Sequence, residues 1–190
     1  MLKLAACGVT EIVMNLSYRA EQIKQALGDG QCYGVHLNYS FEPTVLETGG
    51  GICQALPLLG PEPFIVLSAD IWTDYPLERL VKKNLGSAQA HLVLVDNPNF
   101  HHYGDFHLAG DGFLAVNPQP KLTFANLGLY HPQLFENYRV ETFPLSKVLY
   151  SGIEQQKISG EHYVGPWFNV GTVNELQRIE TYLKQSSVPY

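Results

Sequence analysis

Apolar residues along the chain gather into short runs, separated by segments in which they recur every three or four positions. Residues 11–16 (Glu-Ile-Val-Met-Asn-Leu) read as a buried strand entered through a turn at Gly8. The next segment, 17–27, reads as a helix: Ser17 can cap it, Ile23 and Leu27 share a face, and Gly28-Asp29-Gly30 stops it. A second strand is predicted over 35–40. Gly49 to Gly51 open a short helix that ends near Pro57, and 63–70 is the strongest apolar run of the chain, closing on Asp70. Asp74 then stands where it could cap a helix whose Leu77, Leu80, Val81 and Leu85 form one stripe, closed by Gly86. Residues 91–95 are another strand, and from Phe106 to Tyr130 alternating runs suggest antiparallel pairing. Thr172 and Glu175 have the spacing of a capping box, opening a last helix with Leu176, Ile179 and Leu183 turned inward. Met1-Leu2-Lys3 reads as part of a helix already under way. Repeated strand–helix–strand units imply one α/β domain over 1–190, with three layers around a mixed, mostly parallel sheet.

Composition narrows the function. The chain has 190 residues, 45% hydrophobic and 16% charged, which excludes disorder, collagen and coiled coil. A formal net charge of −6 argues against a nucleic-acid partner, since phosphate backbones are held by clustered Lys and Arg. It leaves room for a single nucleotide held by backbone amides and a metal. No run is apolar for the 18 or so residues a membrane span needs, and Cys7, Cys32 and Cys53 form no Cys-x-x-Cys. These features predict a cytoplasmic protein with reduced core thiols and no membrane partner.

Ligands of such sheets collect at the carboxyl ends of the strands, where three features fall. The first is Leu46-Glu47-Thr48-Gly49-Gly50-Gly51, whose glycines let backbone groups approach a flat ligand, or simply make a tight turn. It is neither a Walker A loop nor Gly-x-Gly-x-x-Gly, which disfavours a nicotinamide-dependent dehydrogenase. The second is Asp70, which can hold Mg²⁺ as one of few protein ligands or serve as an ordinary loop carboxylate. The third is Trp167-Phe168-Asn169-Val170-Gly171-Thr172, where Asn169 offers a neutral oxygen and Gly171-Thr172 could be only a turn and a cap. His101-His102 are adjacent and lack zinc-ligand spacing, and no Ser–His or Cys–His pair stands out.

Taken in order, these pieces, with residues 6–15, Ser68 to Trp72, Val95 to Pro98, Gly104-Asp105-Phe106 and Leu122-Thr123-Phe124, resemble the sugar-phosphate nucleotidyltransferase family. Within it the chain is most similar to the branch of N-acetylmuramate α-1-phosphate uridylyltransferases and mannose-1-phosphate guanylyltransferases. The resemblance implies the family's Rossmann-like fold. It places Glu47, Thr48, Gly49 and Gly50 at the nucleobase, and Asp70 and Asn169 as the catalytic pair sharing one Mg²⁺. Gly104, Asp105, Asn126 and Glu161 would line the sugar-phosphate pocket, with Glu161 and His162 drawn as a polar pair in a turn. The implied substrates are a nucleoside triphosphate, UTP favoured, and a sugar 1-phosphate such as N-acetylmuramate 1-phosphate.

One departure carries an expectation of its own. The family opens with a strand, a Gly-x-Gly-x-Arg-Met loop and a Pro-Lys that cradle the triphosphate; none occurs in this sequence, and Lys82-Lys83 read as a solvated pair. The absent first strand would lie between 11–16 and 63–70. The expected consequences are weak triphosphate binding and little turnover, and the reading is either an N-terminally truncated domain with its gene start placed too late, or a gap closed by direct pairing or by strand exchange with a second copy. The alternative reading is a non-catalytic sugar-nucleotide-binding protein of the same descent.

Overall fold

The computed structural model describes residues 1–117 and 119–186. Its elements, in chain order, are α1 (Leu2–Ala6), β1 (Glu11–Leu16), α2 (Ala20–Leu27), β2 (His36–Phe41), α3 (Glu47–Leu59), β3 (Phe64–Leu67), β4 (Ile71–Thr73), α4 (Glu78–Val81), β5 (Ala90–Val95), β6 (His107–Leu108), β7 (Leu114–Ala115), β8 (Thr123–Tyr130), α5 (Leu145–Glu154), β9 (Ile158–His162), β10 (Trp167–Asn169) and α6 (Val173–Ser186).

The body is a four-stranded sheet in the order β3-β8-β5-β9. β3, β5 and β9 run one way and β8 runs against them, so the sheet is mixed and mostly parallel in direction. Every residue of β5 is buried, as a strand covered on both faces must be. Alternation along β5 sorts the core. Ala90, Leu92 and Leu94 join Ile52 and Cys53 of α3 and Val148, Leu149 and Ile153 of α5 on one side. Val93 and Val95 join Tyr75, Leu77 and Leu80 on the other, with Leu4 and Cys7 packed against them. Helices on both faces of one sheet make the three layers.

β1 and β2 form a separate parallel pair, in register from Glu11↔His36 to Leu16↔Phe41. α3 packs on both of these strands and also reaches the β3 side of the core through Ile52 and Cys53. Two sheets thus share one covering helix, yet among the described residues β1 pairs only with β2 and β3 only with β8. The gap expected between them is not closed by direct pairing.

Several elements depart from the sequence pattern for identifiable reasons. The second helix starts at Ala20, not Ser17, because Arg19 takes a left-handed conformation that breaks the run. α3 continues through Pro57 to Leu59, since Leu56 and Leu59 still pack on the core. The strand of 63–70 stops at Leu67, leaving Asp70 in a turn before β4. Asp74 caps no helix: its Oδ1 accepts from Lys3 Nζ at 2.9 Å, and α4 is a single turn. Leu176 is 47% exposed, while Ile179 is buried as expected. Of the cysteines only Cys53 is buried, and Cys32 is exposed. Glu161 and His162 lie on β9 and not in a turn.

Candidate active site

β3 hands the chain to a turn at the carboxyl end of the sheet. Ser68 N–H donates to Asn126 O at 3.1 Å, and Ile71 N–H donates back to Ser68 O at 3.2 Å, which sets Asp70 exposed on the crest. β4 leaves that turn and pairs antiparallel with β10, Ile71 opposite Asn169 and Thr73 opposite Trp167. Val170 N–H then donates to Asp70 O at 2.7 Å, so the residues carrying the carboxylate and the amide are neighbours at the tip of one ribbon. A carboxylate and an amide oxygen are both hard donors of the kind Mg²⁺ takes, and two of them leave most of an octahedral shell to water and phosphate. Among the described residues no group of three or more His, Cys, Asp or Glu could hold a metal.

Asn126 belongs to the same corner. Along β8, Phe124 opposes Leu94 and Gly128 opposes Leu92, so the residues between them leave the ladder as a bulge. Asn126 takes φ +53° there, a left-handed conformation that Asn tolerates better than most residues, and bulges beside sites re-aim side chains in this way.

The glycine segment forms the head of α3, with Glu47 itself at φ +57°. Its amides are occupied within the protein: Gly49 and Gly50 N–H both donate to Phe143 O, at 3.1 and 3.2 Å, while Phe143 N–H donates to Leu46 O at 3.1 Å. A Cβ on Gly49 would meet the Phe143 ring, and one on Gly50 the Glu141 carbonyl oxygen. Close approach of the 141–143 loop is therefore what demands glycine. Asn15 Nδ2 donates to Gly51 O at 2.8 Å and to Glu42 Oε1 at 2.9 Å, and Glu42 Oε2 accepts Leu46 N–H at 3.0 Å, which braces the loop from the other side. Glu47 and Thr48 remain exposed. Glu141, whose exposed side chain stands beside this loop, was not singled out from the sequence. Only the polar stretch just before α5 could have pointed to it.

Gly104 has φ +62°, and a Cβ there would lie 2.7 Å from Asn97 Oδ1 and 2.9 Å from Lys121 O. Asn97 fastens that crossing by donating to His102 O and Lys121 O and accepting from Thr123 Oγ1 at 2.8 Å. Asp105 is committed as well: Oδ2 accepts Phe124 N–H at 2.8 Å and Oδ1 lies 3.1 Å from His101 Nε2. The pair thus braces the start of β8, the strand that carries Asn126.

Glu161 sits elsewhere, in a half-buried network. Its carboxylate accepts from the Tyr75 hydroxyl and faces Arg79 Nη1 at 3.4 Å and His91 Nε2 at 3.5 Å. His91 is 2% exposed; its Nδ1 lies 2.8 Å from Ser159 Oγ, and Ser159 Oγ lies 3.2 Å from Ala90 O. His91 first, then Tyr75 and Arg79, outweigh burial and hold the Glu161 carboxyl at about 2. Burial and that carboxylate push the Tyr75 phenol far up, so it stays a donor. Glu161 thus has protein partners on both carboxylate oxygens, with its side chain still 28% exposed. His162 pairs with Asp96 at 2.9 Å.

The structure thus brings Asp70, Asn169 and Asn126 to one corner and sets Glu47 and Thr48 at the head of α3, while Gly104 and Asp105 lie at the crossing before β8 and Glu161 on β9. No helix among the described residues is long and apolar enough to cross a membrane.

Known proteins match this arrangement over nearly its whole length. Residues 1–186 match the family model described as nucleotidyl transferase. The chain is 40% identical over 187 residues to the N-acetylmuramate alpha-1-phosphate uridylyltransferase of Neisseria meningitidis serogroup B, covering 95% of this chain and 81% of that protein. It is 29% identical over 181 residues to the mannose-1-phosphate guanylyltransferase catalytic subunit beta of Drosophila pseudoobscura pseudoobscura, covering 88% of this chain but 48% of the relative, so it spans about half the length of that larger protein. Among solved structures it superposes on one described as a glucose-1-phosphate thymidylyltransferase of Bacillus anthracis with a TM-score of 0.82 at 16% identity, over 100% of this chain and 81% of that one. HddC of Yersinia pseudotuberculosis follows with a TM-score of 0.74 at 17% identity, over 96% and 83%. At those identities the structures speak for the fold alone, whereas the family model and the Neisseria relative settle the lineage: the chain belongs to the nucleotidyl transferase family.

Proposed function

We propose that this chain is built to join a nucleoside triphosphate, UTP by preference, to a sugar 1-phosphate, N-acetylmuramate 1-phosphate by preference, with release of pyrophosphate. The 40% identity to the Neisseria uridylyltransferase supports the choice of both substrates. The observation that carries the chemistry is the ribbon tip, where Val170 N–H bonds Asp70 O beside Asn169.

In this reading a phosphate oxygen of the sugar 1-phosphate bonds to the α-phosphorus as the bond from that phosphorus to pyrophosphate breaks. The nucleophile is already ionised at neutral pH, its second pKa being about 6, so no side chain has to remove a proton. Catalysis then reduces to alignment and charge neutralisation. Asp70 and Asn169 would hold Mg²⁺, which when bound neutralises phosphate charge. Glu47 and Thr48 edge the base from the head of α3, and Asn126, re-aimed by the β8 bulge, faces the sugar-phosphate side. Gly104, Asp105 and Glu161 line the sugar-phosphate pocket in this reading, and their protein partners hold them in place.

A pyrophosphate-release assay with UTP, N-acetylmuramate 1-phosphate and Mg²⁺ tests the reading, with Asp70→Asn as the control. Release that D70N lowers by about 10²-fold or more supports it, on the scale of losing one stabilising group at a phosphoryl centre; equal release by both sinks it. A thermal shift with UTP in the absence of turnover would favour the sugar-nucleotide-binding alternative.

A further inference from the structure

Trp167 lies on β10 two residues before Asn169, and its indole N–H donates to Ala125 O of β8 at 3.0 Å. That carbonyl sits in the stretch where β8 leaves register with β5, so the ladder supplies it with no regular partner. Its neighbour is Asn126, with φ +53°, whose own carbonyl receives the Ser68 N–H at the root of the Asp70 turn. The ribbon of β4 and β10 is a sheet to itself, paired internally and not as a continuation of the four-stranded body. One side-chain bond therefore reaches from the strand bearing Asn169 to the bulge bearing Asn126, and through that bulge to the turn bearing Asp70.

We propose that Trp167 is a positioning residue: its indole N–H fixes the ribbon tip against the β8 bulge, and so sets Asp70, Asn169 and Asn126 relative to one another. The inference rests on the reading of Asp70 and Asn169 as a metal-holding pair. The ring itself is partly buried against the apolar cluster that includes Val93, Val95, Ala125 and Leu127, packing that phenylalanine would largely keep. Removing the N–H alone frees the Ala125 carbonyl and lets the ribbon slide while the core stays packed. A small displacement of groups aligning a phosphoryl centre costs far more in rate than in stability.

The test uses Mn²⁺ as the probe, followed by its effect on water-proton relaxation, on the wild-type chain, Trp167→Phe and Asp70→Asn. Trp167→Phe is expected to weaken Mn²⁺ binding by about 10-fold, the scale on which outer supports of metal ligands act. In turnover assays its kcat falls while the KM for UTP stays within about twofold, a split that a general loss of fold would not give. Wild-type Mn²⁺ affinity in Trp167→Phe, alongside loss in Asp70→Asn, overturns the positioning role and leaves the metal pair standing. Equal Mn²⁺ binding by wild type and Asp70→Asn overturns the pair and this inference with it. Should Trp167→Phe fail to fold, benzothienylalanine at position 167 in a Trp72→Phe background replaces only the N–H by sulfur. The same weakening is expected against Trp72→Phe alone, and no weakening overturns the proposal.

Discussion

Glu161 points from β9 into a setting where burial alone would favour its neutral form, yet His91, Tyr75 and Arg79 hold it ionised with a pKa of about 2. A carboxyl depressed in the folded state adds stability that is present above its ordinary pKa, near 4.5, and drains away as pH falls through the folded value. Replacing it by the isosteric amide in Glu161→Gln keeps the volume and an acceptor for Tyr75, but removes the charge that faces Arg79 and His91. The expected loss at pH 7 is about 2 kcal/mol, the scale of a charge-assisted bond. For a chain of this size that is about 4–8 °C in Tm. Urea denaturation from pH 7 downward should show the deficit constant to about pH 4.5 and then shrinking toward pH 2, because protonated wild type comes to resemble the variant. A deficit independent of pH would mean that shape, not charge, holds the network. Nothing local in the Gly-Glu-His stretch announces these partners; Tyr75 arrives from the loop between β4 and α4 and His91 from β5, and so a carboxylate that reads as exposed is half-buried among them.

At the level of elements, the glycines at the head of α3 admit two explanations, approach by a ligand and packing within the protein: two of their amides serve Phe143 O, and the bulk they avoid is the 141–143 loop. Gly50 and Gly51 separate the two explanations. Gly→Ala inside a helix gains about 1 kcal/mol in propensity. At Gly50 a Cβ would press on the Glu141 backbone, which cannot yield cheaply, so Gly50→Ala should lose about 1–3 kcal/mol net. At Gly51 it would meet the ends of the Glu42 and Asn15 side chains, which can swing away, so Gly51→Ala should be near neutral in the same urea titration. Equal effects would refute this steric account. Strands such as β5 and the capping box of α6, where Glu175 N–H donates to Thr172 Oγ1 at 3.3 Å, were legible because local pattern and burial agree. α5 was not, although Leu145, Val148, Leu149 and Ile153 keep helical spacing. Pro144 stands where a polar cap would signal its start, and Gly152 interrupts its middle. The meeting of Asp70 with Asn169 has no local signal at all; only the order of motifs along the chain suggested it.

For the whole molecule, the decisive feature is that β1 and β3 each keep one edge unpaired among the described residues while α3 covers both sheets. β3 is Phe-Ile-Val-Leu and β1 carries Ile12, Val13 and Met14, so both edges are apolar and rich in strand-forming side chains. Free edges of that kind invite pairing with another chain. Opposing this, copies with net charge −6 repel one another, a repulsion that salt screens over about 10 Å at 0.1 M. The chain is therefore expected to self-associate at raised concentration, and more strongly as salt increases, the reverse of association through ion pairs. Light scattering behind size exclusion measures the first effect at two ionic strengths. Amide exchange locates it: protection should rise with concentration over residues 11–16 and 64–67, while 90–95, already paired on both sides by β8 and β9, stays unchanged. A chain that remains monomeric throughout, with exchange at β1 and β3 independent of concentration, would show that these edges are shielded by the fold itself, and strand exchange between copies would no longer account for the gap.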